Sequence, residues 1–172
     1  MEHFSSLSPI PGFRNWLLTT LATTQRYLEK SSRDILLPEE IAQLCDLLKC
    51  EESALLNELG TLLKSNHWAE DDKTIMALEA PLMRLCARYL YREKRRNLAL
   101  DSVANFHIRN GAVLWRINWK GDFSVRGLSN SCGIMVNYKY FLDQLEINST
   151  KYQESHFIKA SQDIVDLAEK QS

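Results

Sequence analysis

Asn105-Phe106-His107-Ile108-Arg109-Asn110-Gly111-Ala112, running into Val113-Leu114-Trp115-Arg116-Ile117-Asn118-Trp119, contains the change of chain geometry that decides the fold class. Asp101 or Ser102 can cap a helix from about Val103 to Arg109, with Val103 and Phe106 toward the core. Asn110-Gly111 supplies a left-handed exit. From Val113 to Trp119 the pattern changes to a strand, with Val113, Trp115, Ile117 and Trp119 on one side and Arg116 and Asn118 on the other. His107 falls in the last helical turn, where the negative end of the helix dipole favours an imidazolium. Histidine changes charge near neutrality, so His107 is either a working proton carrier or a packed side chain at a helix end.

Outward from this stretch the chain is largely helical. Toward the N-terminus, Pro81 starts or kinks a helix that continues from Leu82 to Arg96. On it Arg84, Arg88 and Arg92 stand four apart on one face, and Lys94-Arg95-Arg96 extends the charge. Such a face is either solvated, with its cations at the end the dipole favours, or a docking surface for phosphate groups. The solvated face is the expectation. Earlier helices are read from Phe13 to about Leu28, from Pro38 through Leu48, and from about Glu51 to Lys64. Proline at the first helical position and the acids Glu39 and Glu40 mark the second of these. Asn66 to Asp72 is a polar connector in which Asp71 or Asp72 caps the next helix.

Toward the C-terminus, Lys120-Gly121-Asp122 turns and Phe123 to Ser131 reads as a polar connection of small residues. Cys132 to Val136 reads as a second, buried strand. Tyr138 to Leu145 is expected to be a helix with an aromatic face, and a last amphipathic helix runs from about Lys159 to Glu169. Near the start, Phe4-Ser5-Ser6-Leu7-Ser8-Pro9 places a serine before proline, where the backbone is held extended. Alone, this is turn chemistry.

The chain has 172 residues, 45% hydrophobic and 25% charged, enough for one domain with a real core. A formal charge of −1 gives no reason to expect nucleic acid or an anionic membrane surface as partner. No apolar run approaches the roughly 20 residues of a bilayer span. Cys45, Cys50, Cys86 and Cys132 form no CxxC pair and have no histidine at zinc-finger spacing. These features point to a reducing intracellular compartment, without disulfides and without a metal. Periodicity and composition therefore give a mixed helix–strand (α+β) domain and leave the reaction open.

Four strings carry a more specific signal: FSSLSPIPGF at Phe4–Phe13, PLMRLCARYLYREKRR at Pro81–Arg96, NFHIRNGAVLWRINW at Asn105–Trp119 and GLSNSCGIMVNYKYFL at Gly127–Leu142. Together they resemble, collinearly and over nearly the whole chain, the C-terminal part of malonyl-CoA decarboxylase. The resemblance implies a helix-rich α/β architecture, the C-terminal portion of an acetyltransferase-like (GNAT) fold with a large helical insertion. Residues 1–172 would be the C-terminal part of the catalytic domain, with the family's N-terminal helical domain and first strands absent. It implies decarboxylation of malonyl-CoA to acetyl-CoA and carbon dioxide, in fatty-acid metabolism, with malonyl-CoA as substrate and no cofactor.

The family's catalytic serine, before proline in the FSSLSP string, falls on Ser8, and its catalytic histidine, in the NFH string, on His107. A hydrogen-bond donor aimed at the thioester oxygen stabilises the enolate left by carbon dioxide. A histidine suits delivery of the proton to the new carbanion. The residues gripping the coenzyme phosphates stay unassigned, because the fold's glycine-rich phosphate turn precedes the strand carrying Ser8. The resemblance further implies a homo-oligomer for the full-length enzyme and a mitochondrial or cytoplasmic location. Glu169-Lys170-Gln171-Ser172 lacks the Ser-Lys-Leu peroxisomal signal. The alternative is a truncated, non-catalytic paralogue or fragment that associates with a full-length subunit through exposed apolar surface. An acyltransferase on the same fold fits the strings less well.

Overall fold

The computed structural model describes residues 2–170; of the C-terminal tetrapeptide considered above, Gln171 and Ser172 lie outside the described residues. Strand β1 (His3–Ser8) leads through Pro9 and Pro11 into helix α1 (Phe13–Arg26), which buries Phe13, Leu17, Leu21 and Thr24. The helix stops at Arg26, so Leu28, expected on its buried face, is fully exposed. A short 3-10 turn at Ser32–Asp34 is closed by Asp34, whose carboxylate accepts the Ser31 N–H. Helix α2 (Pro38–Leu48) follows, and the Glu40 carboxylate accepts the otherwise orphaned Leu37 N–H at its N-terminus. Helix α3 (Glu52–Lys64) buries Leu55, Leu56, Leu59 and Leu63.

Helix α4 (Asp72–Tyr91) is continuous through Pro81. Its start is Asp71, which accepts the Thr74 N–H, so proline neither begins nor ends it. The roughly 3 kcal/mol penalty of an interior proline is outweighed by burial of Ile75, Leu78, Leu82, Leu85, Cys86, Tyr89 and Leu90. The helix ends at Tyr91, short of the expected Arg96. Lys94-Arg95-Arg96 lies instead in a hairpin of β2 (Lys94–Arg95) and β3 (Leu98–Ala99). Both turn residues, Arg96 and Asn97, have positive φ, the backbone that matches a two-residue turn to strand twist.

Helix α5 (Ser102–Arg109) is capped by Asp101, which accepts the Ala104 N–H. Its buried residues are Ala104 and Ile108; Phe106 is exposed, contrary to expectation, and Val103 is only partly covered. Strand β4 (Val113–Asn118) carries a bulge between Leu114 and Arg116. The bulge consumes one residue of the alternation. Leu114, opposite Tyr138, and Ile117, opposite Val136, therefore share the inner face, while Trp115 is exposed and Val113, opposite Lys139, is buried on the other face.

The polar connection expected at Phe123 to Ser131 contains helix α6 (Val125–Ser131), with Ser124 accepting the Gly127 N–H. Next comes β5 (Met135–Phe141), where a helix had been expected from Tyr138. Val136, Tyr138 and Tyr140 are buried and the residues between them are partly exposed, a period of two. Helix α7 (Leu145–Ser155) and helix α8 (Gln162–Glu169) complete the chain.

Strands β1, β5 and β4 form an antiparallel sheet in that order, pairing Ser8 with Val136, Ser6 with Tyr138 and Phe4 with Tyr140. One core runs from α1–α4 across this sheet to α7 and α8. Gly111 joins α5 to β4 at φ +92°, and a Cβ there would stand 2.3 Å from the Leu145 carbonyl oxygen. The backbone conformation alone costs a side chain about 1–3 kcal/mol. Gly111→Ala is expected to lose at least that much stability in urea denaturation, with the joint between the His107 helix and β4 displaced.

Candidate active site

Three elements far apart in sequence converge at one end of the sheet. Strand β1 terminates at Ser8, where the next residue, Pro9, has no N–H to continue the ladder. Helix α5 presents His107 from its last turn, and β5 brings Tyr138 and Tyr140 to the same face as Ser6 and Ser8. The Ser8 Oγ lies 3.0 Å from Nε2 of His107, across 99 residues of chain. On the other side of the ring, Nδ1 of His107 is 2.5 Å from the Tyr140 hydroxyl. Sequence reading thus named two of three linked groups. Tyr140 was read onto a helix, and the alternation Val136, Tyr138, Tyr140 was the signal that could have found it.

Aromatic packing fixes the imidazole. Tyr138 stacks on it, with centroids 4.3 Å apart and planes 16° from parallel, and Phe4 stacks on Tyr140 at 4.7 Å. Ser8 is buried and His107 half-buried. The α5 cap adds a further restraint, because Asp101, itself buried, also accepts the Tyr89 hydroxyl from α4 at 3.1 Å. Burial pushes the Asp101 carboxyl up, against the lowering effect of its hydrogen bonds.

Burial sets the electrostatics of the site. It lowers the His107 pKa from its ordinary value, and it raises that of Tyr140. The imidazolium expected from the helix dipole is therefore disfavoured, because desolvation prevails. An NMR titration of the His107 ring should give a midpoint below about 6.5; a midpoint above it would contradict this account of the site. A neutral ring admits two tautomers. If Tyr140 donates to Nδ1, the Nε2–H points at Ser8 Oγ and leaves the serine proton free. If Ser8 donates to Nε2, its proton is committed and Nδ1–H donates to Tyr140.

Among the described residues no group of three or more His, Cys, Asp or Glu side chains is placed to hold a metal ion, and Cys45, Cys50, Cys86 and Cys132 are free thiols. None of the helices among the described residues is long and apolar enough to cross a membrane. Asn148, in an Asn-Ser-Thr string that resembles a glycosylation acceptor, is buried in α7 and donates to the Gly111 carbonyl.

The family model described as malonyl-CoA decarboxylase C-terminal domain matches residues 1–172. The chain belongs to the malonyl-CoA decarboxylase family. Mitochondrial malonyl-CoA decarboxylase of Anser anser anser is 47% identical over 165 residues, covering 96% of this chain and 32% of its own length. The Rattus norvegicus mitochondrial enzyme is also 47% identical, over 95% of this chain and 32% of its own. The chain thus spans about a third of these relatives. Among solved structures, malonyl-CoA decarboxylase from Agrobacterium vitis superposes with a TM-score of 0.73 at 32% identity, covering 99% of this chain and 36% of that one. The Rhodopseudomonas palustris enzyme gives 0.72 at 31% identity, over 96% and 33%. The helix-rich α+β architecture is thus shared with malonyl-CoA decarboxylases of known structure.

Proposed function

We propose that this chain carries the chemical centre of a malonyl-CoA decarboxylase, releasing carbon dioxide from malonyl-CoA to leave acetyl-CoA. The observation that carries the reading is the Ser8 Oγ to His107 Nε2 contact of 3.0 Å. Breaking the bond to the carboxylate leaves its electron pair in an enolate of the thioester. Ser8, as a donor, stabilises the enolate oxygen. The substrate carboxylate brings negative charge to the half-buried ring and raises the His107 pKa against desolvation, so the ring takes up a proton. In the imidazolium both nitrogens donate, Nδ1–H to the Tyr140 oxygen and Nε2–H toward Ser8. The proton passes to the methylene carbon, giving the methyl group of acetyl-CoA and returning the ring to its neutral form, and one proton is taken from solvent when the next substrate binds. Tyr140 serves both states because a hydroxyl donates to the neutral ring and accepts from the charged one.

A cavity of about 570 Å³ is lined by sequence neighbours of these groups, though not by Ser8, His107 or Tyr140 themselves, and Asp122 also lines it. Pro9, next to Ser8, and Val103, one turn before His107, form part of its wall, and Arg126 and Asn130 offer a cation and an amide. That volume is in the range of small-molecule sites, and we place the malonyl thioester there. We also read the sheet as the C-terminal part of an acetyltransferase-like fold, supported by its three antiparallel strands with helices around them. The names of the vertebrate relatives favour a mitochondrial location.

The associating, non-catalytic reading is favoured by one observation. Phe4 and Leu7 are about half exposed on β1, which among the described residues pairs only with β5. Carbon dioxide release from malonyl-CoA by the purified chain separates the two readings: turnover supports the decarboxylase, and a folded chain without turnover supports the other. On an active protein, Tyr140→Phe is expected to lower kcat by about 10-fold, the worth of one hydrogen bond to a charged group, with KM for malonyl-CoA little changed. An unchanged kcat would remove Tyr140 from the mechanism.

A further inference from the structure

The arginine face of α4 is not a uniformly solvated surface. Arg84 is 5% exposed, and its Nε and Nη2 are bound to the Glu40 carboxylate and the Ile35 carbonyl at 2.6–3.1 Å. Its Nη1 makes no hydrogen bond among the described residues, yet it is not one of the sealed, unpartnered buried atoms. Arg84 itself borders an open space. That space is a polar cavity of about 330 Å³, walled by Arg33, Arg84, Arg88, Arg92 and Lys170, with Asp34 the one acid among its lining residues.

The cations differ in how firmly they are held. Arg84, Arg33 and Arg88 are each paired with a glutamate, Glu40, Glu52 and Glu93 respectively. The Arg33 and Arg88 pairs are partly solvated, and such pairs are worth about 1 kcal/mol or less, so an incoming anion can take their place. Arg92 and Lys170 have no acidic partner among the described residues. Asp34 is already committed to the Ser31 N–H. The C-terminal end of α4 contributes about half a negative charge, less than the two unpaired cations supply.

We propose that this cavity is a phosphate-binding site. Guanidinium forks match phosphoryl oxygens bidentately. The buried Arg84, held by Glu40 and Ile35, is the fixed part of the lining, while Arg88 and Arg92 supply movable walls. The volume admits one or two phosphoryl groups rather than a whole coenzyme. Two ligands share this chemistry: a phosphate of an acyl-CoA, and a separate phosphate-bearing metabolite. The site is inferred from the cavity's own charges and does not depend on the decarboxylase reading.

Calorimetric titration of the 172-residue chain with pyrophosphate tests it at low ionic strength, against a chloride control. Saturable binding is expected, weakened about 10-fold or more in Arg88→Gln/Arg92→Gln, where two charge-assisted bonds are lost. Unchanged far-ultraviolet circular dichroism of that variant would separate lost binding from lost folding. No saturable binding at millimolar pyrophosphate, or equal affinity in parent and variant, would overturn the proposal. Coenzyme A as competitor then assigns the source. If it displaces pyrophosphate while its 3′-dephospho form does not, the site holds the coenzyme's own phosphate. If neither displaces it, a separate phosphate-bearing molecule is the ligand.

Discussion

His107→Ala is expected to lower kcat for carbon dioxide release by about 10²–10⁴-fold, the usual worth of a positioned proton donor. Ser8→Ala is expected to cost about 10²–10³-fold, as for one donor to a developing oxyanion. The two should not add. Ser8 Oγ and His107 Nε2 share one hydrogen bond, so in the proposed mechanism removing either disables the other, and the double variant should fall little below the worse single one. Stopped-assay measurement of labelled carbon dioxide over the four proteins gives the comparison. Fully multiplicative losses would mean that the two residues act on different steps. An unchanged rate in His107→Ala would end the proton-donor assignment altogether. Stability should barely respond to Ser8→Ala, because the side chain is small and the backbone pairing of Ser8 with Val136 is untouched.

How much of this site could be read from the chain depends on where each signal is stored. The helices of residues 13–64 were legible from their apolar spacing, and α2 also from its proline start and acidic first turn. His107 and Ser8 were singled out through the strings around them, and the structure brings their side chains within 3.0 Å, whereas periodicity alone left both as packing or turn residues. Tyr140 was not legible as a partner. Tyr138, Tyr140 and Phe141 suit a helical aromatic face and Val136, Tyr138 and Tyr140 an alternating strand, and pairing with β1 and β4 decides between them. The bulge at Trp115 has no local sequence mark; it arises where β4 must keep Leu114 and Ile117 inward against β5. Helix α6 was hidden by its small polar residues, which cap and turn as readily as they extend a helix.

The arginines along α4 and at its C-terminal cap show the same limit in energetic form, and they carry the second large prediction. Arg84, Arg88 and Arg92 look alike in sequence. Arg84 is nevertheless buried, because Glu40, 44 residues earlier, meets it at 2.6 Å. Glu40 also accepts the Leu37 N–H, and Arg84 donates to the Ile35 carbonyl, so the pair ties α4 to the start of α2. Removing one member leaves the other charged, desolvated and unpaired, which typically costs about 3–5 kcal/mol. Glu40→Ala and Arg84→Met are each expected to lower stability by that amount in urea denaturation. The double change to Glu40→Leu with Arg84→Met removes both charges and should recover much of the loss. It should not recover all of it. The Leu37 N–H and the Ile35 carbonyl still lose their partners, at about 1–3 kcal/mol for a buried group left unsatisfied. A double variant no more stable than either single one would show that the backbone hydrogen bonds, rather than the ion pair, hold α2 against α4. Single variants within about 0.5 kcal/mol of the parent would contradict the burial of the pair, since that is the usual range for substitutions on the surface.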